Sequence, residues 1–463
     1  MQSSTLIRVF SGLSKRDIRE LGKFVSSPYF NQREDVVRLF GYLAGCRKLE
    51  GQWVERQKLF EAVYPDEEFH LPQLRYVMSF LMTLIKRYFA QVEFERQDNL
   101  RQQQLCRALR SRGEVQLFQK ELNQWERLLQ SHPLRNIQYH YYQYQKLFEL
   151  YQFESQASRK GDAHLQERFE ELSIFYLSNT LLHACASLNQ QNILKKDVQL
   201  NLVQQVVEHI EQHDYSQVPA VMIYYYAYQA LSQPGDDDKF EHFKSHLLAH
   251  WPRFTTSEAR DVFLIAVNYC IQRLNQGERR FVREAFDLYR LGVENGIFIQ
   301  NDILSDHTYK NIIRLGISLK EFDWVAQFQK DYKDKLDPRN GQNAYCYNLA
   351  YFHFQRSEYD KAMPLLQQVE FKDVFNNLDA RRMLLRIYYE LGEYDALDSL
   401  LDSFYTYIHR QKDIGYHRDN YLNLIRFIRK LLHSNSPSSR SKLRQKVLST
   451  TRIAEREWLL AII

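Results

Sequence analysis

The chain has 463 residues, of which 44% are apolar and 14% aromatic, with 15 Gly, 10 Pro and a formal net charge of +5. So many aromatics and so little proline exclude a largely disordered chain, and so few turn formers exclude one built mainly of strands. A positive balance this mild does not by itself direct the chain to nucleic acid or to a membrane surface.

Met1–Phe10 has no basic region followed by a long apolar run, so no signal peptide is expected. Ser14, with Asp17 three residues on, predicts the N-cap of a short helix through Phe24. Ser26-Ser27-Pro28 ends it, because the residue before proline avoids the helical region. A second helix is expected from Asn31 to Cys46 and a third over Glu55–Val63, stopped at Pro65. From Leu71 a longer one carries Leu74, Val77, Met78, Leu81, Leu84, Ile85 and Tyr88 at spacings of three and four. Residues 95–160 read as two long helices separated by Pro133.

Beyond Leu165 the pattern becomes a succession of helices over 165–188, 192–213, 219–232, 237–250, 257–274 and 278–295. Several of the short connectors hold Pro or Gly (Pro219, Pro234-Gly235, Pro252, Gly277, Gly296). Each helix has one apolar stripe that it cannot bury alone, which is the logic of an α-solenoid. The most apolar windows, Val218–Tyr226 and Val262–Ile271, are too short to span a membrane, so a cytoplasmic location is expected. Cys46, Cys106, Cys185, Cys270 and Cys346 are scattered with no C-x-x-C pair, which predicts buried free thiols.

The strongest internal repetition lies between Asp306 and Phe404. Lys320-Glu321-Phe322-Asp323, Ser357-Glu358-Tyr359-Asp360 and Gly392-Glu393-Tyr394-Asp395 are alike, and their aromatics stand 37 and 35 residues apart. The middle segment, Tyr347-Asn348-Leu349-Ala350 followed by Glu358-Tyr359-Asp360-Lys361-Ala362, resembles the tetratricopeptide repeat (TPR) superfamily in order and spacing, in the manner of bacterial TPR-like proteins. In that family Ala350 and Ala362 would be the small residues where two helices approach closely. The other repeats carry Ile313 and Val325, and Leu385 and Leu397, at those places.

The resemblance implies that the first helices of successive repeats line a concave face. It places Lys310 and Arg314, then Tyr347, Tyr351 and Phe354, then Arg382, Arg386 and Tyr389 on that face. The pairs 310/314, 347/351 and 382/386 are four residues apart and share a helix face. The expected result is a basic groove with an aromatic centre, suited to carboxylates and to an acidic or C-terminal peptide. The family's carboxylate clamps also use Asn, and those positions are not matched here.

Other patterns are weighed beside this one. His242, His246 and His250 sit four residues apart, as do His209 and His213, but no H-E-x-x-H sequence or third ligand accompanies them, and no metal is expected. The runs Tyr139–Tyr144 and Tyr224–Tyr228 read as core between stacked helices. Arg426, Arg429, Lys430, Arg440, Lys442, Arg444, Lys446, Arg452 and Arg456 make the C-terminal stretch basic, against Glu455 and Glu457. Its last helix is expected to cap the solenoid with Leu443, Val447, Ile453, Trp458 and Leu459, and a phosphate-binding or membrane-surface helix is the alternative. No Walker loop, G-x-S-x-G elbow or G-x-G-x-x-G loop occurs.

These readings predict an all-α chain: an N-terminal helical domain over 1–95 and a long helical connector over 96–160. A right-handed TPR-like helical-hairpin α-solenoid follows over 161–433, clearest at 306–404, then a linker and basic capping helix over 434–463. The expected function is that of a non-enzymatic protein–protein interaction scaffold without a cofactor. It would bind a peptide or helix of an acidic protein partner. The alternative is a nucleic-acid-associated protein using the N-terminal unit and the basic C-terminus.

Overall fold

A computed structural model describes residues 4–46, 56–157, 164–194, 199–369, 374–411, 414, 415, 417–434 and 436–463. These residues are overwhelmingly α-helical. A two-stranded antiparallel hairpin pairing Ile299 with Leu304 and Gln300 with Ile303, unforeseen in the sequence, is the one sheet among them. No described helix is long and apolar enough to cross a membrane. The chain divides into two compact units, Met1–Pro133 with Ile137–Phe175, and Leu134–Asn136 with Tyr176–Ile463.

The first unit opens with α1 (Thr5–Ser11), α2 (Lys15–Val25), α3 (Glu34–Gly45), α4 (Arg56–Val63) and α5 (Leu71–Arg96). Ser14 caps α2 as its sequence predicts: its hydroxyl accepts from the Asp17 amide while the Asp17 carboxylate accepts from the Ser14 amide. The α2–α3 turn is held by buried Asn31. Its Nδ2 donates to the carbonyls of Val25 at 2.9 Å and Arg33 at 3.1 Å, and its Oδ1 accepts from the Arg33 amide at 3.0 Å. Phe10, Leu21, Val36, Leu39, Phe60, Leu74, Leu81 and Ile85 meet in one core.

Next come α6 (Asp98–Ser111), α7 (Val115–Ser131) and α8 (Ile137–Ala157), around Cys106, Phe118, Trp125 and Leu129. The segment before Pro133, read as one helix in the sequence, is therefore two. Gly113 at φ +72° turns the chain between them. The long α9 (Leu165–Leu194) gives its first part to this unit and the rest to the second.

The second unit continues with α10 (Val203–Gln212), α11 (Pro219–Ser232), α12 (Asp237–His250), α13 (Thr256–Asn275) and α14 (Phe281–Glu294). After the hairpin come α15 (Asp306–Ser318), α16 (Phe322–Tyr332), α17 (Gly341–Gln355), α18 (Tyr359–Gln368), α19 (Val374–Leu391) and α20 (Tyr394–Arg410). The described chain ends with α21 (His417–Leu432), α22 (Pro437–Ser449) and α23 (Arg456–Ile462). Helix α10 starts later than the predicted 192–213, and residues 195–198 of that prediction lie outside the described residues. From α11 to α23 nearly every helix packs on its chain neighbour, and α15, α17 and α19 also pack on one another in series.

The repeated Glu-aromatic segments have a common geometry. Lys320, Ser357 and Gly392 adopt the left-handed conformation at φ +61°, +59° and +72°. The amide of the next residue then donates back to the carbonyl five residues earlier: Glu321 to Gly316, Glu358 to His353 and Glu393 to Tyr388, each at 2.9 Å. This is a Schellman-type stop that satisfies an orphan carbonyl and launches the next helix at once. Gly113-Glu114 and Gly277-Glu278 repeat it, with bonds to Leu109 at 3.1 Å and Arg273 at 3.2 Å, outside the three segments grouped from the sequence.

Ala350 and Ala362 are fully buried, as are Ile313, Val325, Leu385 and Leu397. One turn further along α15, Gly316 packs directly against Val325 of α16 and against Phe286. A Cβ there would stand 2.5 Å from Val325 Cγ2 and 2.9 Å from the Phe286 ring. A glycine thus compensates for the bulky Ile313.

Candidate functional site

Helix α17 packs between α15 and α19, and these three helices carry the eight groove residues. On α15 the Lys310 ammonium donates to Asn376 Oδ1 at 2.7 Å and lies 5.6 Å from the Tyr347 ring centre. One turn on, Arg314 donates to the Tyr347 hydroxyl at 3.0 Å and to Asp379 Oδ2 at 3.1 Å, with its guanidinium 5.0 Å from the Tyr351 ring. From α19, Arg382 and Arg386 stand over the Phe354 ring at 5.5 and 5.1 Å. Tyr389 continues the row and meets Trp458 edge-on at 5.4 Å. The side chains form one connected series of cation–π and hydrogen-bonded contacts.

The sequence reading omitted the residue at the centre of this series. Asp379 accepts from Arg314, from Arg382 Nε at 2.9 Å and from the Tyr347 hydroxyl at 2.5 Å. Burial would raise its pKa. The charges of Arg382 and Arg314 and the Tyr347 hydrogen bond outweigh that, holding the carboxyl below its ordinary value. Burial likewise pushes the Tyr347 phenol well above its ordinary range, reinforced by the Asp379 charge. A carboxylate three residues before Arg382 on a helix was the available signal.

Two expectations about these residues require correction. Tyr347 and Phe354 are 2% and 3% exposed, packed with Ala350, Ala362, Leu366 and Met383, so they belong to the core between the helices and not to an open lining. Arg382 and Arg386 are partly buried, at 12% and 26% side-chain exposure, and both are already engaged by a carboxylate. Arg382 is ion-paired with one oxygen of Glu455, and Arg386 donates to the other at 2.9 Å. The occupant lies 69 and 73 residues away along the chain, so no helical spacing announces it.

Glu455 holds this position in a left-handed backbone conformation, φ +55° and ψ +35°, which is strained for a non-glycine residue. Three residues on, the Trp458 indole donates to Glu390 Oε1 at 2.6 Å and lies 5.7 Å from the Arg386 guanidinium. Trp458 and Leu459 are buried with Leu424, Ile428, Leu443 and Val447. The last helix therefore docks by its apolar side, and it also delivers a carboxylate to the two arginines.

Several of the remaining C-terminal bases are partnered, among them Arg429, which is ion-paired with Asp402. Arg452 pairs with Asp419 at 2.9 Å, Arg456 donates to carbonyls at the end of α22, and Arg444 donates to the Leu460 carbonyl at 2.6 Å. Lys430, His433, Lys442 and Lys446, with Arg429, line an open cleft of about 350 Å³ between α21 and α22 that has no acid in its lining.

The histidines lie in aromatic stacks: Tyr226 contacts His242 and His246 at 5.5 and 4.4 Å, and His209 stacks on His213 at 4.1 Å. No group of three potential metal ligands occurs among the described residues. Tyr224 is fully buried, while Tyr141 and Tyr144 are half-buried. No family model, no curated protein and no solved structure matches the chain.

Proposed function

We propose that the chain is a non-catalytic protein–protein interaction scaffold. In this reading the second unit is a right-handed, TPR-like solenoid of helical hairpins, and the α15–α17–α19 wall binds a peptide or helix of an acidic partner. Three features support the architecture: pairing of helices in chain order, packing of α15, α17 and α19 in series, and the recurrent Glu-aromatic turn. One observation carries the binding reading: Arg382 and Arg386 together grip both oxygens of a carboxylate from a remote segment of chain. Paired guanidinium forks over an aromatic ring suit a carboxylate held against a flat apolar surface.

The test is a panel of synthetic acidic peptides, with and without aromatic residues, titrated against the full chain. Binding should require acidity and should vanish in an R382E/R386E variant that keeps its native helicity. Equal binding to that variant, or no binding by any acidic peptide, would remove the reading.

A nucleic-acid-associated role is the second reading, favoured by the acid-free cleft lined by Arg429, Lys430, His433, Lys442 and Lys446. Phosphate contacts there would give an affinity for random single- or double-stranded DNA that falls steeply with salt. K430E/K442E/K446E should then flatten the salt slope. A flat slope in the wild-type chain would exclude the role.

A further inference from the structure

We infer that Arg382, Arg386 and the Tyr389–Trp458 contact define a receptor for a carboxylate followed three residues later by an aromatic side chain. The chain's own Glu455–Trp458 segment occupies it in cis. A partner segment of the same chemistry gains the groove by displacing residues 450–463. The inference rests on the scaffold reading and specifies the ligand and its competitor.

Charge complementarity fixes the first half of the ligand. Glu455 offers one oxygen to each guanidinium, and Asp379 already neutralises Arg382 from the other side. The second half is fixed by Trp458, which meets Tyr389 edge-on, lies near Arg386 and gives its indole N–H to Glu390. Glu and Trp three residues apart at the start of a helix fall on one side of it, so a single short segment presents both.

One feature favours release of the occupant: its carboxylate is held at the cost of a left-handed, non-glycine backbone. Its non-helical connector, Thr450–Ala454, is held to α21 by three polar ties, the exposed Arg452–Asp419 pair, an Asn423–Arg452 carbonyl bond at 2.7 Å and an Ala454–Asn420 backbone bond at 3.2 Å, which release must break. Against release stands the burial of Trp458 and Leu459. A ligand with a carboxylate alone would leave that apolar surface uncovered, so the incoming segment must bring its own aromatic group.

The experiment uses a labelled synthetic peptide of residues 450–460, added in trans to the full chain and followed by fluorescence anisotropy. In an E455K chain the resident segment is repelled by the two arginines, and the peptide should bind roughly tenfold tighter or more than to wild type, because an occupied site weakens apparent affinity by its free fraction. Peptides carrying Glu455→Lys or Trp458→Ala should not bind, and an R382E/R386E chain should bind none of them. E455Q is the second variant if E455K loses native helicity, with a smaller gain in the same direction. Equal affinity for wild type and the folded variants, or binding that survives R382E/R386E, would overturn the inference. An acidic peptide that binds at Arg382 and Arg386 while residues 450–463 keep their hydrogen-exchange protection would overturn it and leave the scaffold reading standing. Binding of the self peptide without any acidic panel peptide would do the reverse.

Discussion

Replacing Glu455 by alanine and, separately, by glycine separates the two terms that set the stability of the C-terminal segment. The carboxylate bonds two guanidinium groups, and the side chains of Glu455, Arg382 and Arg386 are only 14%, 12% and 26% exposed. Removing one partner of so buried a pair costs about 3–5 kcal/mol in general. Arg382 keeps Asp379, so the low end applies and E455A should weaken docking of the segment by about 3 kcal/mol. Alanine also keeps the left-handed strain at this position, worth about 1 kcal/mol, which glycine relieves. E455G should therefore lose only about 2 kcal/mol and stand above E455A by about 1 kcal/mol. Native-state hydrogen exchange of residues 450–463 measures the opening free energy of the segment directly. A double-mutant cycle with R386A should give a coupling of about 1–2 kcal/mol. The reasoning fails if E455A exchanges like wild type, if E455G is no better than E455A, or if the cycle shows no coupling.

Other perturbations test the remaining structure. Gly316→Ala forces a methyl group against Val325 and Phe286 and should lower stability by about 1–3 kcal/mol, read as a fall in the chemical unfolding midpoint. Lys320→Gly and Ser357→Gly should each raise stability by about 0.5–1 kcal/mol, because glycine meets the left-handed turn without steric cost; a drop in midpoint would contradict the turn assignment. Asp379 has a folded pKa below the ordinary 3.8, so its contribution is complete above that value and is lost as pH falls through the depressed one. The stability difference between wild type and Asp379→Asn, measured by urea unfolding, should be constant near neutrality and shrink below pH 3.8.

Helix positions were legible where apolar residues recur at helical spacing and breakers flank them, as over 219–232 and 237–250, which α11 and α12 reproduce residue for residue. The break at Gly113 was not legible, because strong helix formers stand on both sides and the stop depends on one left-handed residue. Small-residue contacts were legible only in part. Ala350 and Ala362 stand at the family spacing, whereas Gly316 does its work three residues beyond the position occupied by Ile313.

The eight groove residues came from the family resemblance; seven of them meet through contacts among α15, α17 and α19, and Tyr389 joins them through Trp458 of α23. Their surroundings were not legible. Asp379 lay on the same helix as Arg382 but was hidden among ordinary surface charges, and Glu455 reaches Arg386 from 69 residues away. Nothing in local periodicity encodes a long-range partner. An open basic groove and one closed by a single distant carboxylate look identical in the sequence.

The most direct test of the central claim is a hydrogen-exchange footprint of the full chain with a saturating acidic, aromatic-bearing peptide. The account predicts protection gained along α15, α17 and α19 together with protection lost across residues 450–463. Protection gained elsewhere, with the exchange of α19 and of residues 450–463 unchanged, would contradict it.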